Sequence, residues 1–448
     1  MNRTIDEVLA DFAQGASREV ALAAHLDRIE DPAGEGRRAF LKVDAREAKV
    51  LAGEFDRAAK NGQPVPPYAG VTVSIKDLFD ITGDVTTSGS VLLKDEQPAE
   101  RDATVVARLK AAGFIPVGRT NMTEFAYSGL GINPHYGTPL NPYDRGGRRI
   151  PGGSSSGAAV SVSDGMATIA LGTDTGGSCR IPAALCGLVG FKPTASRVPM
   201  DGTLPLSPSL DSIGSIGHSV ACCAAVDAVI SGEAYTLAPC DPAALKIGIP
   251  STYVFDDLDQ VTRAAFDRAI GRLADAGVTV VSVETPELLE IPSINAKGGL
   301  TARESYLYHR KWIETNASDY DPRVLVRILK GEAQTDEDYR QVQQARQSLI
   351  TRMAERTRDF DAIAMPTVPV MAPTLDELQT DEEYGRLNLL MLRNCTVANM
   401  LDRCAISLPC TEPDQAPVGF MLMGGHMRDR HLLNIASALE PILVKNRR

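Results

Sequence analysis

Two glycine- and serine-rich clusters hold the residue types that acyl transfer needs: Gly152-Gly-Ser-Ser-Ser-Gly157, and Gly172-Thr-Asp-Thr-Gly-Gly-Ser-Cys-Arg180. Attack by a hydroxyl on a carbonyl requires backbone N–H groups that converge where negative charge develops on oxygen. Consecutive glycines let the chain turn tightly with no Cβ in the way. The loop Thr175-Gly-Gly-Ser178 meets both needs and ends on a serine that would present the attacking oxygen. One such cluster is ordinarily a turn. Here two of them flank an apolar segment and are followed by Pro182 and by Gly187-Leu-Val-Gly-Phe-Lys-Pro193.

A serine nucleophile needs a base. The six histidines (25, 135, 218, 309, 426 and 431) are scattered, and only His218, a short way beyond Ser178, is a candidate. The alternative is a lysine whose ammonium is desolvated, so that its pKa falls from about 10.4 toward neutrality. Lys76, at the end of the alternating run Gly70-Val-Thr-Val-Ser-Ile75, stands where a strand would bury it. Other machineries fail on context. Gly153-Ser-Ser-Ser-Gly157 has the spacing of a nucleophile elbow, but Arg-Arg-Ile-Pro-Gly before it is no buried strand. Neither cluster supplies a phosphate-cradling loop, and the chain has no SxxK and no HExxH.

The elements that must position these residues read as an α/β chain. Ile5, Val8, Leu9 and Phe12 follow a Thr4-x-x-Glu7 capping box, and Ala48, Leu51, Ala52, Phe55 and Ala59 repeat the helical spacing. A helix over Thr104–Ala112 leads into the apolar run Phe114–Val117, and Asn121-x-x-Glu124 predicts a further helix start. Residues 145–217 read as loop-rich structure held against a core. Strand, helix, strand then follow in Lys246–Pro250, Gln260–Ala276 and Val278–Val283. Residues 293–357 read as mostly helical, Ala362–Met365 and Val418–Met423 as strands, and Arg430–Glu440 as a helix stopped by Pro441. No repeat or linker divides the chain. The expectation is one domain, 1–448: N-terminal helices (1–65), a core (66–220), and a variable helical insertion (285–358).

Lys+Arg number 46 against 57 Asp+Glu, a net charge of -11 that repels phosphate backbones and anionic lipid. Nucleic acid and membrane are therefore not expected partners. The eight cysteines lack any CxxC pair and predict reduced, mostly buried thiols. The opening residues hold no uninterrupted apolar run, so cytoplasmic residence is the expectation.

The segments Ser-Ile-Lys76-Asp, Pro-Gly-Gly-Ser154-Ser-Ser-Gly, Gly-Thr-Asp-Thr-Gly-Gly-Ser178-Cys-Arg-Ile-Pro-Ala and Cys-Gly-Leu-Val-Gly-Phe-Lys-Pro-Thr194 together closely resemble the amidase signature family. The resemblance is strong over residues 66–220 and continues weakly through Asp361–Thr367, Asn394–Pro409 and Pro417–Phe420. It implies a mixed β-sheet covered by helices on both faces. It also implies a Ser-cisSer-Lys triad: Ser178 as nucleophile, Ser154 as relay on a cis peptide, and Lys76 as base. Thr175, Gly176 and Gly177 would then form the oxyanion hole with Ser178, while Ser155, Asp174 and Arg180 brace the loops. The implied activity is hydrolysis of a small-molecule amide, with no metal or organic cofactor. Tyr127 and Ser128 are the candidate substrate-binding residues, and Cys179 suggests sensitivity to thiol reagents. The glutamine-hydrolysing component of a tRNA-dependent amidotransferase (its A-type chain) is the alternative within the family, and carbamate or ureido hydrolysis would use the same machinery. A homodimer is compatible with this reading, and a non-catalytic binding protein is disfavoured by the presence of all three triad residues.

Overall fold

Short runs rich in Val, Ile and other apolar residues form the strands of the computed structural model, which describes residues 3–412 and 414–443. In chain order these are β1 (Phe40–Val43), β2 (Thr72–Lys76), β3 (Ile115–Thr120), β4 (Ile169–Thr173), β5 (Val189–Lys192), β6 (Ile213–Gly217), β7 (Lys246–Pro250), β8 (Thr279–Val283), β9 (Ala362–Pro366), β10 (Ala405–Pro409) and β11 (Gly419–Met423). They join in one 11-stranded sheet, ordered β1-β3-β2-β4-β6-β5-β10-β11-β9-β7-β8. Pairing is parallel in β3-β2-β4 and in β9-β7-β8, and antiparallel from β4 through β6, β5, β10 and β11 to β9.

Helices cover both faces, and side-chain alternation shows it. Ile169 and Leu171 of β4 enter one apolar core while Ala170 between them enters another. Phe420 and Leu422 of β11 likewise face away from Met421 and Met423. Strands buried on both sides read as continuous apolar runs, as these do. The mixed sheet and its helical cover match the expected fold.

Local signals hold where local chemistry decides. Thr4 caps the helix Ile5–Ala13 in a full capping box with Glu7, and Ala45–Lys60 is helical. The segment expected to be helical contains Gly299–Asn316, Pro322–Leu329 and Asp336–Arg356.

Three readings are corrected. Residues 145–217 are far more regular than expected, with helices at Ser156–Ser163 and Arg180–Leu185 among β4, β5 and β6. Asn121 starts no α-helix: its Oδ1 accepts from the adjacent Met122 N–H at 2.8 Å, its Nδ2 donates to the carbonyls of Arg38 and Gly137, and Phe125 and Ala126 take the left-handed φ values 49° and 60°. Only a short 3₁₀ turn, Glu124–Ala126, follows. Pro441 does not stop the last helix, which runs Asp429–Leu443 with buried Leu439 and Leu443 packing it down. No helix among the described residues is long and apolar enough to cross a membrane.

Candidate active site

Lys76 is the last residue of β2, and its side chain has no exposed surface. Parallel pairing of β2 with β4 brings Lys76 Nζ to Thr173 Oγ1 at 2.9 Å, and the loop before helix Ser156–Ser163 brings Ser154 Oγ to 2.7 Å. The Gly153–Ser154 peptide is cis. Burial lowers the Lys76 pKa to about 8, against the opposing pull of nearby acidic groups including Asp174 and Asp211. Half or more of the amine would be neutral at slightly alkaline pH.

Ser178 follows β4 on a loop whose geometry Asp174 dictates. The Asp174 carboxylate accepts from the N–H groups of Gly177 (2.8 Å) and Cys179 (3.2 Å), from Asn399 Nδ2 (3.0 Å), and from two nitrogens of Arg180 (2.8 and 3.0 Å). Neither Asp174 nor Arg180 is exposed. Burial alone would raise the Asp174 pKa, but the Arg180 charge and these donors outweigh it and hold the carboxyl well below the usual range. The pair wraps the loop around a fixed anion, and Arg180 also reaches Asn399 Oδ1 (2.7 Å) and the Cys395 carbonyl (3.0 Å).

The two loop glycines serve different ends. Gly177 has φ +126°, and a Cβ there would lie 2.5 Å from Cys395 Cβ, so packing against the protein forbids a side chain. At Gly176 a Cβ would meet only Leu392 and Thr396 at 3.5 Å, both of which line the cavity. Gly176 therefore keeps the cavity open. Of the four N–H groups expected to face an oxyanion, that of Gly177 donates to Asp174, whereas those of Thr175, Gly176 and Ser178 enter no hydrogen bond among the described residues.

Ser178, Thr175 and Gly176 face a cavity of about 1080 Å³, which Tyr127 and Ser128 also line. Ser155 N–H donates to the Ser178 carbonyl at 3.3 Å and ties the two clusters together, and Ser155 Oγ lies 3.5 Å from the Thr173 carbonyl. No hydrogen bond joins the Ser154 and Ser178 hydroxyls in this conformation. Ser128 Oγ donates to Asn388 Oδ1 and accepts from Tyr384 OH, each at 2.9 Å. Among the described residues no histidine lines the cavity. His218 instead bonds the Val162 carbonyl and faces a separate recess. Cys179 is fully buried, and burial pushes its thiol up to about 12, so it is not the reactive group its position suggested.

Several partners are absent from the sequence reading. Thr173 is the second acceptor of Lys76. Asp211 takes the Thr175 hydroxyl and the N–H groups of Leu206 and Ser207, and burial raises its pKa to about 6. Asn399 lies within the weakly matching stretch Asn394–Pro409, which singled out no residue.

The family profile described as Amidase matches residues 21–433. A 2-amino-5-chloromuconic acid deaminase from Comamonas testosteroni is 36% identical over 412 residues, covering 90% of this chain and 88% of that protein. The A-type chain of the glutamyl-tRNA(Gln) amidotransferase of Symbiobacterium thermophilum is 33% identical over 443 residues, covering 90% and 89%. A crystal structure of an amidase superposes with TM-score 0.88 at 29% identity, over 98% of this chain and 99% of the other. Taken with the buried lysine, the two serine loops and their shared cavity, these matches place the chain in the amidase signature family.

Proposed function

We propose that this protein hydrolyses the C–N bond of a small-molecule amide through an acyl-enzyme on Ser178. The observation that carries the reading is the buried Lys76 amine donating to Ser154 Oγ at 2.7 Å, beside a serine loop with three unused N–H groups.

In the reactive state Lys76 is neutral and the Ser178 hydroxyl is turned toward Ser154. Ser154 takes the proton of Ser178 and passes its own to Lys76, while Ser178 Oγ bonds to the amide carbon. The carbonyl electrons move onto oxygen, held by the N–H groups of Thr175, Gly176 and Ser178. The intermediate collapses, the C–N bond breaks, and the proton returns through Ser154 to the departing nitrogen. Water then loses a proton along the same path and attacks the ester carbon. Ser178 leaves with that proton, and the acid is released.

A serine-directed fluorophosphonate probe tests this reading: the parent labels and Ser178→Ala does not. Equal labelling of both proteins removes Ser178 as nucleophile. A screen of aliphatic, aryl and amino-acid amides with carbamates then defines the substrate. Glutamine belongs in that screen, because relatives at 33–34% identity are the A-type chains of amidotransferases. Glutamine turnover that exceeds every other amide would favour that second reading.

A further inference from the structure

Asp211 is a buried carboxylate with no step of its own in the reaction, and neither it nor Ser212 is among the residues that line the cavity. Both are nevertheless attached to the loop that ends on Ser178. A charge in a folded core is costly unless hydrogen bonds meet it, and here three do. Asp211 Oδ1 accepts from the Thr175 hydroxyl at 2.5 Å, while its Oδ2 accepts from the N–H groups of Leu206 and Ser207 at 3.0 Å each. Leu206 and Thr175 both line the cavity, so one hidden carboxylate clasps two pieces of its wall together.

Ser212 acts on the same place from the other side. The carbonyl of Asp174 accepts from Ser212 Oγ at 2.8 Å, from Ser212 N–H at 3.2 Å and from Asn399 Nδ2 at 3.2 Å. That carbonyl and the Thr175 N–H belong to one trans peptide group, which is planar, so the two point in opposite directions. Three donors on the carbonyl edge fix the plane, and the N–H on its far edge is left without an acceptor among the described residues. The peptide is thus anchored at its carbonyl by Ser212 and Asn399, and at the side chain that follows it by Asp211.

We propose that Asp211 and Ser212 are positioning residues for acyl transfer: together they aim the Thr175 N–H at the carbonyl oxygen on which charge develops, without touching substrate themselves. The proposal deepens the hydrolase reading and rests on it. An oxyanion donor matters most in the transition state, so misaiming it should lower kcat and leave KM nearly unchanged.

The test measures the second-order rate constant for labelling by a small alkyl fluorophosphonate. Ser178 Oγ bonds to phosphorus, the P–F bond breaks, fluoride leaves, and the serine proton passes through Ser154 to Lys76, while the P=O oxygen takes the place of the substrate carbonyl oxygen. Thr175→Val, which swaps the hydroxyl for a methyl group, should slow labelling about 10- to 100-fold, the scale of a misplacement of about 1 Å, with the melting transition retained. Thr175→Ser keeps the hydroxyl and should restore part of the rate. Ser212→Ala should cost about tenfold. Asp211→Asn should cost about tenfold alone, as a charged acceptor becomes a neutral one, but no more than about twofold on top of Thr175→Val, because the link is then already cut. With the best amide of the substrate screen, the same losses should appear in kcat rather than KM. If Asp211→Asn does not fold, Thr175→Val and Ser212→Ala carry the test. Labelling of both within twofold of the parent, losses confined to KM, or losses of Asp211→Asn and Thr175→Val that multiply in the double variant would each overturn the proposal. A parent that is not labelled at Ser178 ends the hydrolase reading and this proposal with it, whereas a labelled parent with indifferent variants ends this proposal alone.

Discussion

Around Asp174 one buried carboxylate gathers Gly177, Cys179, Arg180 and Asn399, and leaves open only the N–H groups of Thr175, Gly176 and Ser178 that follow it in the loop. Across the cavity the wall is looser. Helices Pro322–Leu329 and Asp381–Met400 leave Val326 57% and Leu389 67% exposed, and they hold the Arg327 guanidinium with no acceptor among the described residues. The difference separates two tasks. On the proposed reading, the Asp174 side fixes atoms that must not move during bond making, whereas the helical wall meets the rest of the substrate. A chain can therefore change what it accepts by altering the wall and leave the reaction itself untouched.

The sharpest way to break this contrast is Lys76→Ala. Hydrolysis should fall by about 10²- to 10⁴-fold, the range of a lost general base, with the melting transition retained. Near-parental turnover would move the base elsewhere. Asp174→Ala comes next: it strands the buried Arg180 charge and should destabilise the protein by about 3–5 kcal/mol in urea unfolding. A change below about 1 kcal/mol would show that the loop does not depend on that anion.

The pH profile is a milder probe. The Lys76 pKa is lowered to about 8 by burial; with Lys76 as the base the neutral amine is the reactive form, so kcat/KM should rise up to tenfold per unit below about 8 and flatten above it. A profile that falls with rising pH would contradict a lysine base. The smallest effect is predicted at the wall. Leu389→Ser should change stability by no more than about 0.5 kcal/mol while shifting KM among amides of different size. Equal KM shifts for all substrates would deny the wall its selective role.

Legibility in the sequence follows the same division. The strand ending at Lys76 and the loop to Ser178 are visible because neighbouring residues determine them. The partners Thr173, Asp211 and Asn399 are not, because only folding brings them to residues far away in the chain. Helix Ser156–Ser163 also escaped: residues 156–162 are all buried, so it has no polar face from which a helical period could be read. Asp381–Met400 went unseen although it carries the wall, its apolar residues being divided between core and cavity. At Asn121 the local rule pointed to a cap, but the neighbouring Met122 N–H takes the side-chain oxygen and two distant carbonyls take its amide hydrogens.

The contacts of Lys76 have one more implication. Its hydrogen-bond acceptors are the hydroxyls of Ser154 and Thr173 and include no carboxylate. A hydroxyl can give or receive a hydrogen, so both links survive when the amine changes from three hydrogens to two: the new lone pair accepts from one hydroxyl while a remaining N–H still donates to the other. An acid in either place would have fastened the cation in its charged form. Two alcohols let the proton come and go while the heavy atoms stay where they are.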